Sequence, residues 1–244
     1  MTVPLAERGV RALLLDVEGT TTPIAFVYEV LFPFARNRLR EFLDDRANRE
    51  TVRGVLQRLR QEWEADASAQ AALPAWRDND PASAVAYLEW LMDRDVKSPA
   101  LKELQGHIWE GGFRSGALAG QVFPDVPPAF ARWRDAGLAL AIYSSGSVLA
   151  QRLLFGTTGA GDLTPFIAAH FDTGVGAKRW PDSYRRIAAE LKIPAGEILF
   201  VSDVPAELDA ARSAGCQVVL AVRPGNAPVV RDDLETVRTF DQIG

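Results

Sequence analysis

The 244-residue sequence predicts an α/β protein: a doubly wound, mostly parallel sheet with an all-helical domain inserted after the first strand. Three observations carry this. Short unbroken apolar runs recur along the chain, amphipathic helical stretches separate the later ones, and the long interval after the first run holds helical patterning only. The first run, Arg11-Ala-Leu-Leu-Leu-Asp16, does not alternate, which marks a strand buried on both faces as in a parallel sheet. Residues 24–118 follow, with Val52, Val55, Leu56, Leu59 and Trp63 at helical spacing, then Val85, Leu88 and Met92, then Leu101, Leu104 and Ile108. Asp80-Pro81 and Ser98-Pro99 each pair an N-cap with a first-turn proline, and so start two of about four helices. Apolar runs return at Leu138 to Tyr143, Ile198 to Val201 and Val218 to Val222, with helices expected at 127–136, 148–155, 182–192 and 206–214. Strand and helix in alternation require right-handed crossovers and one continuous sheet. The expected division is therefore a core of residues 1–23 and 119–244 and a helical domain of residues 24–118.

Composition narrows the function classes. Hydrophobic residues at 48 % and charged residues at 24 % describe a folded globular chain and exclude wholesale disorder. Twenty-seven basic against 32 acidic residues leave a net charge of −5 with no basic stripe, so no nucleic-acid partner is expected. No run approaches the ~20 apolar residues of a membrane span. Glu7 and Arg8 precede only a short apolar run, so neither a secretory signal nor a membrane partner is expected. The lone Cys216 permits no internal disulfide and reads as a buried apolar filler in a cytoplasmic protein, and nothing demands more than a monomer. Two histidines exclude a multi-histidine metal centre. Arg36, Arg38, Arg40, Arg46, Arg49, Arg53, Arg58 and Arg60 alternate with Glu41, Asp44, Asp45, Glu50 and Glu62, the pattern of solvated, ion-paired helix faces.

In doubly wound sheets ligands gather outside the carboxyl ends of the strands. Asp16, Ser144 and Asp203 stand at three such ends, Glu18 lies two residues past Asp16, and Lys178, one of only four lysines, precedes a helix. Each alone is weak: a strand-end serine commonly caps a helix, and a lone lysine is usually on the surface. Their joint placement along one strand–helix series is what points to a site.

These residues resemble the four motifs of the haloacid dehalogenase-like phosphohydrolases. Within that superfamily the closer match is the enolase-phosphatase (acireductone synthase) family of methionine salvage. The stretches that carry it are Asp16-Val-Glu-Gly-Thr-Thr-Thr-Pro-Ile24, Leu104-Gln-Gly-His-Ile-Trp109, Tyr143-Ser-Ser-Gly-Ser147, His170-Phe-Asp-Thr173, Ser202-Asp-Val-Pro-Ala-Glu207 and Val222-Arg-Pro-Gly-Asn226. The resemblance implies a Rossmann-like core with a helical cap acting as a lid, one Mg²⁺ per chain, and a small phosphate ester as substrate. It implies Asp16 as the nucleophile that forms an aspartyl-phosphate, an anion at neutral pH without any activating base. Glu18, where most of the superfamily carries Asp, is implied as the general acid and base, its carboxyl one methylene further out. Asp16, Asp203 and the Glu18 carbonyl are implied as metal ligands. Lys178, Ser144 and Ser145 are implied at the phosphate. Glu207 reads either as a group behind them that orients Lys178 or metal-bound water or as a plain helix acid. Trp109 and Phe113, beside Gly111-Gly112, are the aromatic candidates for facing the substrate, the other insert tryptophans (63, 76, 90) reading as core. The implied reaction enolises and then dephosphorylates 2,3-diketo-5-methylthiopentyl 1-phosphate to the acireductone. The alternatives are another phosphatase of the superfamily acting on a small phosphate monoester, a metal-free dehalogenase, and a phospho-acceptor module.

Overall fold

The computed structural model describes residues 2–45, 48–69, 72–78, 80–94 and 96–244. Arg46 and the Arg49 side chain lie outside what it describes. The chain divides into two compact units, Met1–Val27 with Ala119–Gly244, and Tyr28–Leu118.

The first unit is built on a six-stranded sheet: β1 (Ala12–Leu15), β2 (Ala139–Tyr143), β3 (Ala169–Phe171), β4 (Ile198–Ser202), β5 (Gln217–Ala221) and β6 (Thr236–Val237). Its order is β3-β2-β1-β4-β5-β6, and every neighbouring pair is parallel. β3 and β6 are additions to the four strands expected from sequence. With three and two residues, they are too short to carry a periodic signal. The helices of this unit are α5 (Val126–Asp135), α6 (Val148–Gly156), α7 (Pro181–Leu191) and α8 (Pro205–Ser213).

β1 and β4 are buried at every position, which explains their unbroken apolar runs. Ala12, Leu14, Ala141, Tyr143 and Phe200 pack with Tyr184, Ile187 and Leu208 of α7 and α8. Leu13, Leu15, Leu140 and Ile142 alternate to the opposite face. In the same unit Phe130 of α5 meets Phe155 and Trp133 meets Phe240, at ring-centroid distances of 6.0 and 5.2 Å. The chain winds from β1 outward to β3 and returns through β4 outward to β6. The strand order therefore reverses between β1 and β4, the place where such sheets leave a crevice.

The second unit contains α1 (Phe32–Asp44), α2 (Arg49–Ala69), α3 (Pro81–Asp93) and α4 (Pro99–Arg114). The Asp80 carboxylate accepts from Ala82 N–H and the Ser98 hydroxyl from Leu101 N–H, so both expected caps form. Leu39 and Leu43, Val55 and Leu59, Leu88 and Leu91, and Leu101 and Leu104 face one shared apolar core. The arginines of this unit are spent on its surface: Arg58 pairs with Glu103, Arg60 with Glu64 and Asp78, and Arg38 stacks over Phe34. Among the described residues no helix is long and apolar enough to cross a membrane.

Candidate active site

Two strand ends and a loop meet at the reversal point. β1 ends in Asp16, β4 ends in Ser202-Asp203, and the loop before α7 brings in Lys178. Asp16 is 2 % exposed, Lys178 6 % and Glu207 8 %, so three charged side chains share a space closed to bulk water. Lys178 Nζ lies 2.6 Å from Asp16 Oδ1 and 2.6 Å from Glu207 Oε2. Ser202 Oγ lies 2.8 Å from Asp16 Oδ2 and 3.2 Å from Glu207 Oε2, which closes a four-membered ring of polar contacts. Val17 N–H adds a bond of 2.7 Å to Asp16 Oδ1. The ring needs both partners of Lys178, because an unpaired buried charge is costly.

The electrostatics follow from that count. Burial works against the Lys178 ammonium, yet Asp16 and Glu207 outweigh it and hold the proton more tightly than in water. Burial, followed by the Asp16 charge, pushes the Glu207 carboxyl up to about 7 despite Lys178. The same two causes lift Asp203 to about 7. One ammonium stands among four carboxylates, with Glu18 felt by both Lys178 and Asp203. Counted as fully ionised, the group carries three negative charges in excess.

Asp203 tests whether a divalent cation fits there. Its Oδ1 is buried without a hydrogen-bond partner, an arrangement a hard cation would relieve. Gly19, at φ +69°, leaves the space: a Cβ there would stand 2.4 Å from Asp203 Oδ2 and 2.9 Å from Asn226 Oδ1. Among the described residues no three His, Cys, Asp or Glu side chains form a ready metal cage. Mg²⁺ takes one or two carboxylates and keeps waters and substrate oxygens for its other positions.

The arm after Asp16 is a tight turn. Val17 C=O accepts from the N–H groups of Thr20, Thr21 and Thr22 at 2.9–3.2 Å, and Thr21 Oγ1 donates to Asp16 C=O. Glu18 is half-buried on this turn. Ser144 is buried, and its Oγ accepts from Gly146 N–H at 3.0 Å while keeping its own proton to donate. Ser145 beside it is exposed. Asp16, Glu18, Lys178, Asp203 and Glu207 thus form one electrostatic group, and Ser144 and Ser145 follow the next strand, β2.

The aromatic pair is placed differently. Trp109, half-buried, donates its indole N–H to Leu31 C=O at 2.8 Å and stacks on Phe32 within the helical unit. Phe113 is buried. Three residues at the sheet's edge had no individual signal in the sequence: Ser202, Arg223 and Asn226. Ser202 is read there as the last residue of a strand, while the other two act on backbone carbonyls, which leave no mark in composition or spacing.

A profile of the haloacid dehalogenase-like hydrolases matches residues 10–215. Enolase-phosphatase E1 of Synechococcus elongatus is 52 % identical over 235 residues, covering 96 % of this chain and 98 % of that one. Enolase-phosphatase E1 of Drosophila melanogaster is 44 % identical over 228 residues, covering 93 % and 89 %. Among solved structures, the Unknown transcript 4 protein of Saccharomyces cerevisiae superposes with a TM-score of 0.76 at 34 % identity, covering 95 % of this chain and 99 % of that one. Fold, strand-end residues and full-length similarity agree: the chain belongs to the enolase-phosphatase E1 family of the haloacid dehalogenase-like hydrolases.

Proposed function

We propose that this chain converts 2,3-diketo-5-methylthiopentyl 1-phosphate to the acireductone and inorganic phosphate in methionine salvage, as an Mg²⁺-dependent enolase-phosphatase of the cytoplasm. The observation that carries the phosphatase half is the buried contact of Lys178 with both Asp16 and Glu207 beside the Asp203 carboxylate. Asp16, Asp203 and the Glu18 carbonyl would hold the ion. When bound, it supplies the positive charge that lets an anion approach a phosphate dianion.

The chain's own residues do the rest. Asp16 attacks phosphorus, the bond from phosphorus to the ester oxygen breaks, and an Asp16–phosphorus oxygen bond forms. The departing enol oxygen takes its proton from the Glu18 carboxyl. Glu18, now ionised, accepts a proton from a water that attacks phosphorus, which frees phosphate and restores Asp16. Lys178 bonds Asp16 and neutralises the phosphoryl group, held in place from behind by Glu207. Ser144 and Ser145 donate to the phosphoryl oxygens. We assign substrate selection to the helical unit.

The test pairs phosphate release with absorbance of the enediol product. The parent protein should release both in chelator only after Mg²⁺ is restored. Asp16→Asn should release no phosphate, and Glu18→Gln should lose at least ~10²-fold in turnover. Full turnover by Asp16→Asn, or in excess chelator, rules the reading out.

A further inference from the structure

The Val222-Arg-Pro-Gly-Asn226 stretch has no part in the chemistry above, yet two of its side chains reach the Glu18 turn. Asn226 Nδ2 donates to Gly19 C=O at 2.9 Å, and Arg223 Nε donates to Thr20 C=O at 3.0 Å. Two consecutive carbonyls of the turn are therefore held by one loop, the loop that leaves β5. The N–H groups of Thr20, Thr21 and Thr22 go to Val17 C=O and that of Gly19 to Thr22 C=O, so the Gly19 and Thr20 carbonyls take donors from outside the turn.

Arg223 is itself fixed. It is 5 % exposed, its Nη1 lies 2.7 Å from Asp125 Oδ2 and 2.9 Å from Arg238 C=O, and the guanidinium rests between Phe123 and Phe240 at 4.6 and 4.4 Å. Asp125 also accepts from Phe240 N–H. A planar fork held on several sides makes a stiff anchor, more so than a lysine ammonium. Asn226 has a second feature: its Oδ1 is buried without a partner, and it lies near the space beside Gly19 that Asp203 also borders. The amide thus bonds the turn and borders the same space as the Asp203 carboxylate.

We infer that Asn226 and Arg223 are positioning residues that fix the Gly19-Thr20 backbone and, through it, the aim of the Glu18 carboxyl. The inference rests on the proposed role of Glu18 and adds to it. Displacing a reacting group by ~1 Å can cost about 10²-fold in rate, so loosening this arm should act on turnover rather than on substrate affinity.

The test uses Asn226→Leu, which keeps volume but removes the donor, and Arg223→Lys, which keeps the charge beside Asp125 but loses the fork. For Asn226→Leu we expect kcat down about 10- to 100-fold with KM changed less than about 3-fold. Hydrogen exchange should quicken at Thr20, Thr21 and Thr22, with or without Mg²⁺, and stay unchanged in Tyr28–Leu118. Arg223→Lys should show the same pattern more weakly. A parental kcat in Asn226→Leu overturns the inference. So does a loss of activity that only tracks the fraction folded, with exchange at the turn unchanged. Asp16→Asn is the control: if it stays active, the reading of the site falls, and if it is inactive while Asn226→Leu matches the parent, only this inference does.

Discussion

The two units bury different things. In the helical unit, the buried polar residues among those described are Ser83, Ser98 and Gln105, all neutral. In the sheet unit they include Asp16, Lys178, Glu207 and Arg223, the four charged side chains that are buried among the described residues. The helical unit keeps its many charges outside, in pairs such as Arg58–Glu103, where they contribute little to stability. The sheet unit takes charge inside only where an opposite charge meets it, as Asp125 meets Arg223 and Asp16 meets Lys178. Buried charge is poor glue, since apolar residues of equal volume usually stabilise as well or better. Where it is retained at the carboxyl ends of parallel strands, its value is chemical.

Breaking the central pair should give the largest effect. Lys178→Met leaves Asp16 and Glu207 buried against each other with no cation between them. Unfolding in urea should show a loss of about 3–5 kcal/mol, and phosphate release should fall at least ~10³-fold. Activity equal to the parent's in Lys178→Met would remove Lys178 from the chemistry. Next comes a cut into the other unit's core. Leu104 is fully buried there, and Leu104→Ala should lower stability by about 2–5 kcal/mol through a cavity. Its pH–rate profile should stay where it was, because no charged group has moved. A shifted profile would mean that the division between an apolar and an electrostatic unit is false.

The sequence made this division legible, but unevenly. β1, β2, β4 and β5 could be read because a strand buried on both faces is apolar throughout. β3 and β6 lie at the sheet's two edges and are too short for any pattern. Asp16 and Asp203 could be read because an acid that ends an apolar run breaks its context. Lys178 stood out only because lysine is scarce in this chain. Ser202, Arg223 and Asn226 could not be read in this way, because what they hold lies some two hundred residues away: Asp16, Thr20 and Gly19. Trp109 shows why aromatic residues read two ways: packing and ligand contact ask for the same side chain, and here the ring packs on Phe32 and bonds Leu31.

A smaller effect sharpens the contrast from the helical side. Ser98 caps α4 through Leu101 N–H and also bonds Glu62, whose other oxygen accepts from Ala100 N–H at 3.0 Å. Ser98→Ala should cost about 1 kcal/mol, visible as a drop of about 2–4 °C in Tm, with catalysis at saturating substrate unchanged. Neutral polar groups in that unit would then be structural, as the comparison requires. A kinetic change larger than the thermal one would place α4's first turn in the reaction.

The finest test concerns a titratable group of the sheet unit that has no opposite charge to meet it. His170, half-buried on β3, has its Nδ1 3.2 Å from Gln151 Oε1. The Gln151 amide is turned that way because its Nε2 donates to Gly146 and Phe171 carbonyls at 2.9 and 2.8 Å. Burial first, and then the Arg152 charge, lower His170 from 6.5 to about 4. The folded protein therefore keeps the ring neutral where the unfolded chain protonates it. The stability this contributes is complete above pH ~6.5 and is lost as pH falls from there to about 4, with a slope of at most ~1.4 kcal/mol per pH unit. His170→Gln removes that proton uptake, so thermal melts at stepped pH should show the gap between variant and parent moving in the variant's favour across this window and nowhere else. A constant gap would mean that the folded protein does accept a charge on β3 without a partner, against the rule that the Lys178 and Arg223 pairs obey.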